Sequence, residues 1–269
     1  MEFYMVVLAL DTTTRRGSVA LARDGAVVGV CAGDPAVTHG QRLPGDLMRL
    51  LDRHNLRVGD IDLFAVAAGP GSFTGLRIGI ATMQGLALAN GKDVVGISAL
   101  DALHHASLSA LCPLPSALTA EASNSPSALT AEASHSPSAL TAEARDGREL
   151  GVWMDAQRGE VFSALYRNGA LVDGPSVGKP SDVLAQWAAG NGSHQIMFVG
   201  EGVLVYTDLI RAAMPAAILA TELPMLAPSI AILAEAHARQ HGSSPPDAIR
   251  PLYVRRPDAE LARDRKAGR

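Results

Sequence analysis

The sequence predicts a two-lobed α/β fold in which one unit, a strand and hairpin followed by a helix and a further strand, is used twice. Three observations carry this prediction. An apolar strand ending in a carboxylate, Leu8-Ala9-Leu10-Asp11, has a counterpart in Val152-Trp153-Met154-Asp155. Each is followed by a second strand that starts at a glycine, Gly17 in one half and Gly159 in the other. In both halves a helix and a strand then lead into a glycine turn, Gly69-Pro70-Gly71 and Gly200-Glu201-Gly202. A chain of 269 residues that is 48% hydrophobic and 19% charged is long and apolar enough to bury a full core.

Val6 to Leu10 is a continuous apolar run, read as a buried strand whose end opens into the polar turn Asp11-Thr12-Thr13-Thr14. The next strand runs from Gly17 to Ala22. Asp24-Gly25 signals a type I′ hairpin, because both central residues of that turn take positive φ, and Ala26 to Cys31 returns. From Gln41 to His54, Leu43, Leu47, Leu50 and Leu51 share one stripe while Arg42, Asp46, Arg49 and Arg53 take the other side, which predicts an amphipathic helix. Strand Leu63 to Ala67 precedes the glycine turn. A second helix, from about Thr74 to Asn90, closes at Gly91 and leads to strand Val94 to Ile97. That helix is apolar or small nearly all round, with Leu76, Ile78, Ile80, Met83, Leu86 and Leu88 interleaved with Gly75, Gly79, Ala81, Gly85 and Ala89. Small residues four apart allow close helix approach, so core or a partner helix is expected to cover it.

Between Leu114 and Arg145, Pro-Ser-Ala-Leu-Thr-Ala-Glu-Ala starts at Pro115, Pro126 and Pro137, a period of eleven residues. Solenoid repeats generally need ~20 residues or more, so this reads as a tandem expansion in a surface loop. After it come the second unit, with an Asn168-Gly169 hairpin, a helix from Asp182 to Ala189 and strand Ile196 to Val199, and a last helix from Ile230 to Gln240. The expected organisation is a first lobe over residues 1–105 with helix 228–242 packed on it, an insert at 106–148, a second lobe at 149–227 and a tail at 243–269. By analogy, this duplicated pattern is the plan of the actin and hexokinase-like ATPases.

Net charge is −4 with a pI near 6.0, so dedicated binding to a phosphate backbone is not encoded. Cys31 and Cys112 lack metal-ligand spacing and are read as free thiols in a reducing compartment. Met1 to Tyr4 carries no basic region and the run Met5 to Leu10 is short, so a cytoplasmic chain without a membrane span is expected.

Leu8-Ala9-Leu10-Asp11-Thr12-Thr13, the segment Gly69-Pro70-Gly71-Ser72-Phe73-Thr74-Gly75-Leu76-Arg77-Ile78-Gly79, and Asp155-Ala156-Gln157-Arg158-Gly159-Glu160-Val161 together resemble the TsaB (YeaZ) family. The closing Pro251-Leu252-Tyr253-Val254-Arg255 is similar to that family's C-terminal signature. The resemblance spans the chain apart from the repeats. It implies an actin/hexokinase-like fold without catalytic chemistry, pairing with a TsaD-type catalytic subunit and a TsaE-type ATPase. The group transferred is threonylcarbamoyl, to the anticodon-adjacent adenosine of tRNAs that read codons beginning with A, with tRNA met only through the complex. It also implies dimerisation through the first two helices, for which Leu43, Leu47, Leu50, Leu76, Ile80 and Met83 are the candidates. Packing inside their own lobe is an equal reading for each. A homodimer through the same helices is plausible for the chain alone.

The catalytic relative has a metal-binding His-x-x-x-His in its first helix, whereas here His39 is followed at that spacing by Leu43, and one imidazole holds no metal alone. His237 and His241 are one turn apart without an acidic third ligand, and histidines in a last helical turn are favoured by the helix dipole alone. His104 and His105 are adjacent, so they diverge on a helix and receive no role. Asp11, Gly69, Gly71, Gly200 and Gly202, with Asp155, occupy places where actin-like ATPases handle magnesium and phosphate, and are read as vestigial nucleotide contacts. No cofactor is required on this reading, and weak ATP or ADP contact in the complex is left open. Ser72 lacks the glycine spacing of a nucleophile elbow. The competing expectations are an autonomous actin-like kinase and, behind it, a metallopeptidase.

Overall fold

The computed structural model describes residues 4–110, 149–190 and 195–254. The eleven-residue repeats, Cys112 and the segment beyond Val254 lie outside the described residues. In chain order the elements are β1 (Val6–Asp11), β2 (Ser18–Arg23), β3 (Ala26–Ala32), α1 (His39–Arg53), β4 (Leu63–Gly69), α2 (Phe73–Asn90), β5 (Asp93–Ser98) and α3 (Ala99–Ala110). They continue as β6 (Glu149–Asp155), β7 (Val161–Arg167), β8 (Ala170–Gly178), α4 (Pro180–Gly190), β9 (Ile196–Val199), α5 (Glu201–Val205), α6 (Thr207–Ala213), β10 (Ile218–Leu219) and α7 (Ala227–His241).

The duplication is visible in the sheets. The first has order β3-β2-β1-β4-β5 and the second β8-β7-β6-β9-β10. In each, the opening strand pairs antiparallel with its hairpin partner and parallel with the strand that follows the helix. The Asp-Gly and Asn-Gly signals hold, with φ of 51° at Asp24, 75° at Gly25, 51° at Asn168 and 80° at Gly169. The result is the duplicated actin/hexokinase-like α/β fold.

β1 is a continuous apolar run because both of its faces are covered. Val6, Leu8 and Leu10 face a core beneath α1 and α2, while Val7 and Ala9 face a central core that also holds Leu150, Val152, Met154 and Phe162 of the second sheet. α3 and α7 lie in that central core, and α7 packs against β1, β2, β4 and β5. A third core, around Trp153, Trp187 and Phe198, sits between the second sheet and α4 to α6.

Two expectations are corrected here. Leu43, Leu47, Leu50, Leu76, Ile80 and Met83 do not form an exposed seam: they are 0–5% exposed. All but Leu76 belong to the core under α1 and α2. A sheet buried on both faces needs this apolar cover, and the cover takes the stripe that periodicity singled out. Arg42 and Asp46, assigned to the polar side of α1, are also buried. The Arg42 guanidinium donates to Asp46 Oδ2 and to the Arg16 carbonyl, so its charge is paired as it leaves water.

Gly75 and Gly79, in the first half of α2, serve the chain's own turn. A Cβ on Gly75 would lie 2.0 Å from the Thr12 carbonyl oxygen, and one on Gly79 would lie 2.2 Å from Thr12 Oγ1. Thr12 Oγ1 in turn donates to the Gly75 carbonyl at 2.8 Å. Gly85, on the opposite side, has nothing within 4 Å of its Cβ position. Gly75→Ala is expected to destabilise the chain by about 1–3 kcal/mol through overpacking against backbone. Gly85→Ala is expected to stabilise it by up to about 1 kcal/mol through helix propensity. Urea unfolding of the two variants reads this difference, and equal effects would contradict the assignment of the two faces.

Candidate functional site in the interlobe cleft

A cleft of about 1030 Å³ opens between the lobes. The first lobe contributes Thr13, Thr14, His39 and the start of α2 from Gly71 to Leu76. The second contributes Asp155 to Arg158, Phe162 and Glu201, and Leu252 to Val254 complete the wall. Ser72 opens α2 as its N-cap, its Oγ accepting the Gly75 N–H at 3.2 Å. That bond gives Ser72 a structural place at the cleft edge.

Asp11 ends β1 behind this surface and is 1% exposed. Its Oδ1 accepts the Thr13 N–H at 2.8 Å and the Thr13 hydroxyl at 2.5 Å, and its Oδ2 accepts the Thr14 hydroxyl at 2.8 Å. Burial raises its pKa, and the three donors oppose that rise. His39 is similarly engaged. Its Nδ1 lies 2.8 Å from Arg42 Nη2, a group that can only donate, so Nδ1 accepts and Nε2 carries the proton toward the Thr14 carbonyl at 3.1 Å. Burial first and the Arg42 charge second lower its pKa, which keeps the ring neutral.

The five residues read as nucleotide contacts are not brought together as a phosphate cradle. Gly71 lines the cleft, but its Cβ position is 2.5 Å from Thr13 Cβ. Gly69 is covered by the Leu252 carbonyl, 2.8 Å from its Cβ position. A Cβ on Gly200 would lie 2.1 Å from the Trp153 carbonyl oxygen, and one on Gly202 3.2 Å from the carbonyl carbons of Trp153 and Met154. These glycines permit backbone to pack on backbone, and Asp11 is enclosed by its threonines. A nucleotide held with its metal as in actin-like ATPases does not fit this arrangement.

The remaining candidates have structural partners. His104 stacks on Tyr166 at 4.0 Å, and the Tyr166 hydroxyl donates to Asp101 Oδ1 at 2.5 Å. Burial lowers the His104 pKa to about 4. His105 Nδ1 is 2.9 Å from Ser229 Oγ. The His237 and His241 rings lie 4.9 Å apart, and among the described residues no group of three or more His, Cys, Asp or Glu is placed to hold a metal ion. Cys31 is half-buried and free. Among the described residues, no helix is long and apolar enough to cross a membrane.

Sequence reasoning missed two features of the cleft. Phe73, Arg77 and Tyr253 cluster at its mouth, with the Arg77 guanidinium 3.8 Å from the Phe73 ring centroid and the two rings 5.7 Å apart. No sequence spacing links residues so far apart. Glu201 was hidden between the two glycines of its turn, although an acid opening a helix was a readable signal. Its pKa is pushed up to about 7, by burial first and then by the charges of Asp11 and Asp155.

A carboxylate whose folded pKa is raised binds its proton more tightly in the folded state, so its contribution to stability falls as pH rises from 4.5 through about 7. Glu201→Gln is therefore expected to raise the melting temperature at pH 8, by roughly 2–4 °C for an effect of ~1 kcal/mol in a domain of this size. The gain should disappear below pH 4.5. Thermal unfolding at the two pH values checks it, and a pH-independent difference would contradict it.

A family profile described as TsaD, tRNA N6-adenosine threonylcarbamoyltransferase, matches residues 26–267. The structure is similar to YeaZ from Pseudomonas aeruginosa, with a TM-score of 0.65 and 25% identity over 93% of this chain and 99% of that one. An uncharacterised P. aeruginosa protein with similarity to peptidase YeaZ gives 0.66 and 26%, over 93% of this chain and 100% of that one. In sequence, the tRNA threonylcarbamoyladenosine biosynthesis protein TsaB of Escherichia coli is 40% identical over 99 residues, 36% of this chain and 41% of that protein. An uncharacterised Mycobacterium tuberculosis protein is 28% identical over 262 residues, 94% of this chain and 93% of that one. The chain belongs to the tRNA N6-adenosine threonylcarbamoyltransferase family and is a TsaB (YeaZ)-like member of it.

Proposed function

We propose that this chain is a non-catalytic partner subunit in the threonylcarbamoylation of tRNA adenosine, paired with a TsaD-type catalytic subunit and served by a TsaE-type ATPase. Family membership supplies the pathway. The observation that carries the partner role is the state of the strand-end carboxylate and of the cleft-lining histidine of the first lobe. Asp11 is closed off by three donors, and His39 has both ring nitrogens engaged. Neither offers a free acid, base or ligand to the cleft. A net charge of −4 agrees with tRNA being met through the complex.

The partner surface in this reading is the outward side of α1 and α2, opposite the buried stripe. Leu88 is 75% and Met48 51% exposed there, beside the exposed Ala81 and Gly85. Covering that apolar area removes it from water at roughly 25 cal/mol per Å². The open space over Gly85 lets a partner backbone approach. A second copy of the chain takes the same surface when the catalytic subunit is missing.

The test is reconstitution of the modification with cognate TsaD-type and TsaE-type proteins, the threonylcarbamoyl-adenylate synthase, ATP, threonine and bicarbonate. Product should require this chain and should vanish without the TsaD-type subunit; undiminished product in its absence rejects the reading. The double substitution Met48→Arg with Leu88→Arg should weaken heterodimer formation about tenfold or more. The isolated fold should stay within ~0.5 kcal/mol of its stability, as surface changes do. Unchanged affinity by calorimetry would move the interface elsewhere. Steady ATP hydrolysis lost in Asp11→Asn would favour a kinase instead.

A further inference from the structure

We propose that two copies of this chain pair face to face across the outward side of α1 and α2, with Arg77 of each copy meeting Asp52 of the other. This pairing rests on that side being the chain's contact surface, as proposed above, and fixes what it meets and in which register. The exposed residues Phe73, Arg77, Ala81, Gly85 and Leu88 follow one another at steps of four, four, four and three, so they share one stripe of α2. On α1 the outward stripe holds Gln41, Met48 and Asp52. Arg77 is the only charged residue of α2. Its guanidinium is 3.8 Å from the Phe73 ring centroid and its Nε donates to the Tyr253 hydroxyl at 3.4 Å. The stack fixes the guanidinium plane, and among the described residues Nη1 and Nη2 have no acceptor. Asp52 likewise has no ion pair among the described residues. Its neighbours are turned elsewhere: Arg49 pairs with Asp46, and both Arg49 and Arg53 act on the Cys31 thiol of β3.

The two stripes thus show one unpaired charge of each sign, at opposite ends of the face. Arg77 is in the second turn of α2 and Asp52 in the last turn of α1. The helices run the same way, because β3, β4 and β5 are all parallel in direction to β1 and each helix returns between two of them. A two-fold axis in the contact plane, lying across the helices, turns the second copy end for end. The start of α2 in one copy then comes level with the end of α1 in the other. The sideways step between the two helices is taken up by a crossing of roughly 50°, the commonest angle for packed helices. An isologous interface makes every contact twice, so both charges of both copies are satisfied. Covering the apolar stripe without an acceptor for Arg77 would leave a desolvated, unpaired charge, which is costly. A second copy brings that acceptor with it, and the open space over Gly85 lets the helices close together.

Charge reversal tests it by analytical sedimentation of the full chain, and the two single variants serve as each other's rescue. In Arg77→Asp each contact sets two carboxylates together, and in Asp52→Arg two guanidinium groups. Each variant alone should therefore be a monomer where the wild type is a dimer, with its Kd raised about a hundredfold or more. An equimolar mixture of the two variants should recover a dimer with one chain of each kind, since both contacts then join opposite charges. An acid toward the start of α2 and a base at the end of α1 both suit the helix dipole, so each variant should keep its melting temperature to within ~2 °C. Two folded monomeric variants whose mixture stays monomeric would overturn the pairing of these residues. A dimer that persists in both variants but is lost in Met48→Arg with Leu88→Arg would overturn it too, while leaving the surface in place. Wild-type chain that stays monomeric up to ~100 μM would overturn the pairing of copies and leave the partner role to its own test.

Discussion

The carbonyl oxygen of Thr12 stands where a methyl group on Gly75 would have to be, and the rest of the first lobe is arranged around that contact. Because Gly71, Gly75 and Gly79 carry no side chains, the start of α2 sits directly on the turn that ends β1. Ser72 then donates its N–H to the Thr13 carbonyl, and Thr12 bonds the Gly75 carbonyl. This brings two groups of a tight turn, the Thr13 carbonyl and the Thr12 hydroxyl, into register with one helix end. It also closes the turn over Asp11, whose carboxylate is surrounded by donors from Thr13 and Thr14. The second lobe uses the same device, with Gly200 and Gly202 on the backbone of Trp153 and Met154 at the end of β6.

The same contact explains which features were legible in the sequence. Strands buried on both faces read as continuous apolar runs, and the two positive-φ hairpins announced themselves through Asp24-Gly25 and Asn168-Gly169. The duplication followed from the order of these signals. Helix faces were less readable, because α2 is apolar or small all round and its periodicity cannot say which side meets the sheet. The buried stripe and the outward one, Met83 and Leu88 for example, differ in exposure from 0% to 75% without differing in polarity. The glycines were ambiguous for a related reason. A glycine that admits a phosphate and a glycine that admits a carbonyl oxygen look alike in sequence, and only the packed structure shows which atom fills the space.

Arg42 shows the complementary case, in which polar residues were taken for a solvated face. Its guanidinium lies where side chains on Gly17 and Gly33 would be, 2.7 and 2.0 Å from their Cβ positions, and it holds Arg16, Asp46 and His39 together. Burying that charge is costly unless each contact is made, so the first turn of α1 is fixed to the loop after β1. His39 is drawn into this network as an acceptor. The missing partner at Leu43 is therefore one of two differences from a metal-binding pair, the other being an imidazole oriented by Arg42 toward a backbone carbonyl.

The two lobes share a topology but not an electrostatic character, and the cleft is where the difference tells. On the first lobe the carboxylate at the strand end is enclosed and its donors are supplied from within the same turn. On the second, Asp155 is half-buried and accepts both the N–H and the side-chain amide of Gln157, while Glu201 rises beside it with negative neighbours. A duplicated fold that retained symmetric chemistry would present matched groups from both sides. Here one wall is sealed while the other keeps Asp155 and Glu201 beside Arg158, so the two lobes do not present matched reactive groups to the cleft, and the apolar outer face of α1 and α2 is the surface that the proposed partner role would use.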